Sequence, residues 1–287
     1  MPLIILLLLL CSFAVQAESL SSRMVDAADN AERVSNQLLS KPADSLTAED
    51  WLVLTEAQLR LRNKDAAMDA VGHVLEATVQ PYLQAYAYLL KAQIYGILYR
   101  DTVIAITQLE RAEHLLQHAE DAASLALYSD VLQNFAQAYN QLGNAQLAME
   151  AATESLALAT QAADKQRRLD SMIMLGRLHL QNNNLTKAYQ HFKSALPLAS
   201  EIGDQQAIAS ISMRLGMAYQ KLEQHELALQ HFEKAAQLYQ QLDSLSAQIN
   251  ALINIGDSQL VLKQLEKAKD TYNTALKLAV DSEDPYM

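Results

Sequence analysis

The second half of this chain repeats the same residue types every 40 residues. A leucine or isoleucine followed by glycine, then an alanine, an aromatic residue and a second alanine recur in that order. Within a helix these residues fall on one face. A glycine inside a helix costs about 1 kcal/mol relative to alanine, so its recurrence at one phase predicts close helix contact. The repeat residues are Leu175, Gly176, Ala188, Phe192 and Ala195; Leu215, Gly216, Tyr219, Ala228, Phe232 and Ala235; and Gly256, Ala268, Tyr272 and Ala275.

The composition favours helices joined by short loops. The 287 residues include only 7 Gly and 5 Pro, and an all-β fold would need more of these turn-forming residues. Abundant Ala, Leu, Gln and Glu favour helix instead. The formal net charge is -11, and acidic Asp164 and Asp170 flank the densest basic stretch, residues 165–168. Nucleic-acid binding normally requires a basic patch, so no nucleic-acid partner is predicted.

The repeat residues resemble the tetratricopeptide repeat, whose first helix carries a Trp…Leu-Gly…Tyr pattern and whose second helix carries Ala…Phe…Ala. The repeat that contains Gly216 matches this pattern from Leu215 to Ala235. His179 and Gln259 replace the tyrosine in the repeats on either side. The resemblance implies an all-α fold, namely a right-handed α-solenoid of stacked antiparallel helix pairs (a TPR superhelix).

The resemblance continues upstream in weaker form. Trp51 and Ala67 fit a first unit, and the next unit fits only with one extra loop residue between Tyr95 and Ala105. The 40-residue period exceeds the usual 34, so we expect helices about one turn longer. A capping helix is predicted at residues 18–46. Six TPR-like helix pairs then fill residues 47–282, at about 47–80, 84–120, 129–163, 169–203, 209–243 and 249–282, and a tail follows at 283–287.

The N-terminus has the features of an export signal. Residues 3–15 are apolar except for Ser12, which is too short a run to cross a membrane but typical of a secretory signal peptide. No Lys or Arg precedes this run. We predict a signal peptide at residues 1–17, cleavage after Ala17 and export to the bacterial periplasm. Two alternatives are an uncleaved signal anchor and a lipid attached to Cys11, the only cysteine.

No set of residues predicts catalysis, a cofactor or a metal site. Phosphate-binding loops, dinucleotide-binding motifs and nucleophile elbows are absent from the sequence. His114 and His118 have the i, i+4 spacing of zinc ligands but lack a third ligand nearby. His191 and His231 are 40 residues apart and therefore represent one repeat position. We predict that the chain is not an enzyme and binds neither metal nor cofactor.

The first helix of each tetratricopeptide pair lines a concave groove, so the matching positions here are candidates for binding a protein or peptide. They change along the chain from polar amides toward Met and Ile, which suit an adaptable peptide surface. Alternatively, the apolar end packs against another chain or a missing C-terminal segment. The candidates are Gln133, Gln137, Asn140, Asp170, Ile173, Arg177, Met213, Met217, Gln220, Asn250, Ile253 and Asp257.

Two functional hypotheses arise from these observations. The first is a non-catalytic exported scaffold that binds a protein or peptide in the groove. The second is a stand-alone or truncated periplasmic sensor module, because the array resembles the exported N-terminal region of bacterial membrane-bound diguanylate cyclases, the GGDEF receptors. The C-terminal edge lacks a capping helix in the sequence, which makes self-association through that edge a further expectation.

Overall fold

The structure is a computed structural model that describes residue 17 and residues 19–282. The expected signal peptide, apart from Ala17, and the expected tail at 283–287 lie outside the described residues. Within the described part of the chain every regular element is a helix, short turns join most of the helices, and most helices pack against the next helix of the same compact unit. The predicted all-α solenoid of helix pairs is therefore confirmed. No described helix has both the length and the apolar character needed to cross a membrane.

The chain divides into two compact units between residues 167 and 168. The first unit holds α1 (19–29), α2 (Ala31–Leu39), α3 (Ala48–Arg60), α4 (Lys64–Ala77), α5 (Pro81–Gln93), a π-helix (Ile94–Tyr99), α6 (Thr102–Leu116), α7 (Ala122–Gln141) and α8 (Ala145–Gln161). α9 (Lys165–Gln181) starts at the end of the first unit. The second unit continues with α10 (Leu185–Ile202), α11 (Gln205–Lys221), α12 (His225–Gln241), α13 (Leu245–Val261) and α14 (Leu265–Ser282).

Two helices, rather than the single one expected, precede the first pair. α1 and α2 are separated at Asn30, whose backbone leaves the helical region, and a short 3-10 turn follows at Ala43–Ser45. Leu20 and Val34 join the buried cluster that contains Leu52 of α3. Burial alone would raise the pKa of Asp50, but hydrogen bonds from Thr47 and Arg23 outweigh it and hold that pKa below its usual value. Apolar packing and the ion pairs of Arg23 with Glu49 and Asp50 thus fix the N-terminal helices on α3.

From α5 onward, the first helices of the pairs begin earlier than the repeat pattern indicated. α7 begins at Ala122 instead of residue 129, because the Asp121 side chain accepts a hydrogen bond from the Ser124 backbone N–H at 2.9 Å. Asp204 caps α11 in the same way through the Ala207 N–H at 2.8 Å. Aspartate at this position satisfies a backbone donor that has no partner within the helix. The family pattern begins inside the helix and contains no such cap.

The repeated glycines lie against an aromatic ring of the second helix in each pair. A Cβ atom at Gly176 or Gly216 would lie 2.5 Å from the ring of Phe192 or Phe232, respectively, and both rings are fully buried. A Cβ atom at Gly256 would lie equally close to Tyr272. The ring occupies the space of the missing side chain, which is why glycine recurs at this phase.

Each turn from α7 to α14 contains one residue with a positive φ. The next residue donates its N–H to the carbonyl five positions back, for example Asn184 to His179 at 2.8 Å. This is the Schellman arrangement that ends many helices. Two of these turns use glycine, and the others place a side chain in the left-handed region. The residues are Gly143, Ala163, Asn183, Gly203, Glu223, Asp243 and Lys263.

A π-helix absorbs the extra residue of the second pair. Residues Ile94–Tyr99 continue α5 with the wider helical turn that one inserted residue produces. Arg100 then adopts a left-handed conformation, and Asp101 caps α6 by accepting the Ile104 N–H at 3.0 Å. The insertion is therefore part of the helix and not of the loop where the sequence pattern placed it.

Candidate functional site

The predicted groove residues all lie on first helices, and each is at least partly exposed. We define the first-helix surface of a unit as the solvent-facing side of its first helices. In the first unit, α7 contributes Gln133, Gln137 and Asn140. In the second unit, α9 contributes Asp170, Ile173 and Arg177, α11 contributes Met213, Met217 and Gln220, and α13 contributes Asn250, Ile253 and Asp257.

The apolar residues of the second unit's surface differ in how far they are packed. Met213 and Met217 contact the buried cluster that contains Phe232, and Ile173 contacts the one that contains Phe192. These side chains therefore contribute to packing between helices while part of their area faces solvent. Ile253 is 41% exposed and belongs to neither cluster. The surface thus combines apolar side chains that are packed against the core with one that is exposed and outside both clusters.

Two partly buried arginines lie on the same helices. The Nε atoms of Arg177 on α9 and Arg214 on α11 are buried without a hydrogen-bond partner. One Nη atom of Arg177 lies 2.9 Å from the Sδ atom of Met174. Burial lowers the pKa of both guanidinium groups, and repulsion from Arg177 lowers that of Arg214 further. Sequence reasoning missed Arg214, because Met174 occupies the same position one repeat earlier and the spacing gave no signal.

Asp257 is already engaged within its own helix pair. The hydroxyl of Tyr272 on α14 donates a hydrogen bond to Asp257 Oδ1 at 2.6 Å. This bond, together with burial, raises the pKa of Tyr272 to about 12. Phe192 and Phe232 occupy the corresponding positions and have no such group, so the bond is particular to the last pair. One carboxylate oxygen of this predicted groove residue is therefore occupied.

The first unit contains a cavity of about 450 Å³ among α3, α5, α6 and α7. Its lining includes Gly96 and Ile97 of the π-helix, an element that often occurs at functional sites. Among the predicted groove residues, Gln137 lines this cavity. The extra residue before α6 was the only feature of the sequence that pointed to the cavity. The lining contains six other polar residues, most of which the repeat pattern did not predict. They are Arg60, Arg62, Gln93, Thr102, Asn134 and Gln141.

Arg167 lies in a polar cluster of the first unit, where its guanidinium donors are hydrogen-bonded to neighbouring carboxylates. Its Nε and Nη2 atoms donate to the two carboxylate oxygens of Asp130 at 2.9 and 2.7 Å, and Nη1 donates to Asp164 at 2.6 Å. Burial raises the pKa of Asp130, and the guanidinium of Arg167 opposes that rise. Such bidentate pairs are strong. The basic stretch seen in the sequence is thus neutralised at Arg167 by neighbouring carboxylates.

The repeated histidines bridge the two helices of a pair. His179 stacks on His191 with ring centroids 5.4 Å apart, and one repeat later Tyr219 stacks on His231 at 5.3 Å. At the same position in the last pair, Thr271 donates a hydrogen bond to Gln259 at 2.9 Å. Elsewhere, His114 contacts Gln117. Within the described residues, no three His, Cys, Asp or Glu side chains are grouped to hold a metal ion.

Family models of the tetratricopeptide repeat match residues 129–161 and residues 207–279 of this chain. The predicted tetratricopeptide repeats are therefore confirmed, with one match inside each unit. No curated protein sequence matches the chain. The resemblance to diguanylate cyclase receptors stays a prediction.

Several solved structures share this fold. A signal-transduction ATPase with a tetratricopeptide repeat sensor, from Pyrococcus horikoshii, superposes with a TM-score of 0.79 at 18% identity. The match covers 91% of this chain but only 39% of the ATPase chain. The apo form of RapI gives 0.73 at 17% identity, covering 94% and 77% of the two chains. A Rap protein complexed with competence and sporulation factor gives 0.67 at 19% identity, covering 93% and 78%. At these identities the likeness shows the fold alone.

Proposed function

We propose that this chain is a non-catalytic scaffold that binds a peptide or a partner protein on its first-helix surface. The composition of that surface in the second unit carries the proposal: Met213 and Met217 on α11 are partly exposed, and Ile253 on α13, the next first helix, is exposed. Thioethers adapt to different side chains, and exposed apolar area often marks an interaction site. In support, one protein of similar fold was solved with competence and sporulation factor, and another carries its repeats as a sensor.

A matched pair of substitutions tests this proposal. The purified chain is used to select binders from a library of random peptides displayed on phage. Ile253→Arg places a charge on the proposed binding surface, and Leu227→Arg places the same charge on α12, a second helix. Both side chains are 41% exposed in the native chain. We expect Ile253→Arg to reduce peptide enrichment and Leu227→Arg to preserve it. Equal enrichment by both variants, or none by the native chain, would contradict the proposal.

Export to the periplasm is the second part of the proposal, and the sequence features of residues 1–17 support it. Mass spectrometry of the chain isolated from the periplasmic fraction should find Glu18 as the first residue. A chain that retains Met1 and fractionates with the cytoplasm would contradict export. A chain that retains Met1 in the membrane fraction would instead favour the signal-anchor alternative.

The sensor hypothesis remains the alternative. It is supported by the ATPase of similar fold, in which the tetratricopeptide repeats are described as a sensor. If the array is the sensor of a diguanylate cyclase receptor, the DNA that follows the last codon should encode an apolar stretch of about 20 residues and a GGDEF motif. An unrelated downstream reading frame would count against a truncated receptor.

Self-association is proposed for the outward side of α14. Leu265, Leu276 and Val280 are each about 60% exposed there, whereas Ala268 and Ala275 of the same helix are buried. An exposed apolar stripe on one helix is suited to pairing with its own copy. Analytical ultracentrifugation should detect an oligomer that Leu276→Glu weakens. A monomer at all concentrations tested would contradict this part of the proposal.

A further inference from the structure

The arginine pair of the second unit lacks the partners that the arginine cluster of the first unit has. Arg167 makes hydrogen bonds with two carboxylates. Arg177 and Arg214 make no salt bridge in the described part of the chain, although the sequence contains 33 Asp and Glu residues. The Nε atom of each is buried and without an acceptor. The native chain thus places two mutually repelling guanidinium groups on neighbouring first helices, and the Nε donor of each lacks an acceptor.

This arrangement costs free energy in the unbound chain. A partly buried charge loses hydration, and an unpaired buried donor loses the hydrogen bonds that water would supply. Burial lowers the pKa of Arg214, and the positive charge of Arg177 lowers it further, so the two arginines repel each other. A single anion held between them would remove both costs at once, because it neutralises the charges and accepts the free donors.

The geometry of the guanidinium group indicates the kind of anion. Its planar fork matches the two oxygens of a carboxylate. The neighbouring residues indicate how that carboxylate is presented: Met213 and Met217 offer partly exposed apolar area on α11, next to Arg214 in the sequence. A side chain that carries a carboxylate beside apolar residues fits this surface, whereas a free inorganic anion would leave the apolar area unused.

We propose that Arg177 and Arg214 bind an Asp or Glu carboxylate of a peptide that lies on the first-helix surface of the second unit. This inference rests on the proposed scaffold function and adds the chemistry of the partner. The partly buried setting strengthens the ion pair, because the local dielectric constant is lower than that of water. Met174, which contacts Arg177 at 2.9 Å, limits the movement of that side chain.

Selection from random peptides on phage separates this inference from the scaffold proposal. The native chain should enrich peptides that contain Asp or Glu beside apolar residues. Arg177→Gln with Arg214→Gln should still enrich peptides but without the acidic preference. Enrichment by the native chain of peptides with no acidic preference would overturn the carboxylate inference and leave the scaffold intact. No enrichment at all would overturn both.

Affinity measurements on one selected peptide provide the quantitative test. Fluorescence anisotropy compares the acidic peptide with its counterpart in which Asp or Glu is replaced by Asn or Gln. We expect the double Gln variant to bind the acidic peptide roughly 10 to 100 times more weakly, the effect of losing a charge-assisted hydrogen bond or two, and to bind the neutral peptide as the native chain does. Lys187→Gln with Lys234→Gln, which removes the same charge from exposed positions on α10 and α12, should leave both affinities nearly unchanged.

Thermal unfolding of the free proteins distinguishes binding from a structural role. Because neither arginine makes a salt bridge in the described part of the free chain, the double Gln variant should unfold at the same temperature as the native chain or a higher one. A markedly lower unfolding temperature would show that the arginines serve packing, and would overturn the inference. Equal loss of affinity for the acidic and neutral peptides would overturn it as well.

Discussion

The glycine in the first helix of each repeat is fixed by the ring that it touches. Phe232 is fully buried and cannot move away from a Cβ atom added at Gly216. The glycine therefore lowers the intrinsic stability of its helix and allows the aromatic ring to fill the interface. A residue that is unfavourable locally is favourable here because packing between the two helices outweighs helix propensity.

Substitution of this glycine should destabilise the chain. We expect Gly216→Ala to lower the free energy of unfolding by about 1–3 kcal/mol, the usual cost of overpacking. Gly72→Ala on α4 is the control, because no atom lies within 4 Å of its added Cβ, and it should raise stability by roughly 0.5–1 kcal/mol. Urea denaturation measures both changes. Shifts of the same sign in the two variants would contradict the explanation.

At the scale of the element, the turns determine where each helix ends. From α8 to α14, seventeen or eighteen residues per helix and turns of two or three residues account for the 40-residue period. Each turn reverses the chain through one left-handed residue, which costs a residue with a side chain roughly 1–2 kcal/mol. Asparagine tolerates this conformation better than alanine does.

This difference predicts which turns can be improved. Ala163 has a φ of 56° and Asn183 a φ of 58° in equivalent turn positions. We expect Ala163→Gly to raise the free energy of unfolding by about 1 kcal/mol, because glycine adopts this conformation without steric cost. Asn183→Gly should change it by roughly half of that or less. Thermal and urea unfolding give the values, and a loss of stability in the Ala163 variant would count against the argument.

At the scale of the whole molecule, acid should weaken the fold through its stacked histidines. Burial lowers the pKa of His179, His191 and His231, and positive neighbours lower it further. The folded chain therefore binds fewer protons than the unfolded chain near pH 6. The contribution of these histidines to the free energy of unfolding is fully present above about pH 6.5, the usual histidine pKa. It is lost progressively as the pH falls below that value.

Urea denaturation between pH 7.5 and pH 5.5 tests this sign, because the carboxylates stay largely ionised in that range. We expect the free energy of unfolding of the native chain to fall with pH. His179→Tyr reproduces the Tyr219–His231 stack found one repeat later and removes one titrating ring, so its stability should fall less steeply. Identical slopes for the two proteins would contradict the role of this histidine pair.

The sequence by itself determined the all-α class and the residues of the helix interfaces. It could do so because Gly176, Gly216 and Gly256 meet the same kind of ring in each pair, and a contact repeated in space repeats in sequence. The sequence also contains the aspartate caps, such as Asp204, at which the helices begin, although these residues are not part of the family pattern.

Only the tertiary structure decided how the candidate binding surface is composed. It joined Tyr272 to Asp257, wrapped the extra residue after α5 into a π-helix beside a cavity, and brought Arg177 near Arg214. These two arginines occupy different positions in their repeats, so no period in the sequence connects them. Their proximity depends on how α9 and α11 pack. A fold built from periodic contacts can be predicted from the sequence, because the contacts recur at a fixed spacing. A site built from single side chains on different helices can be identified only in the tertiary structure.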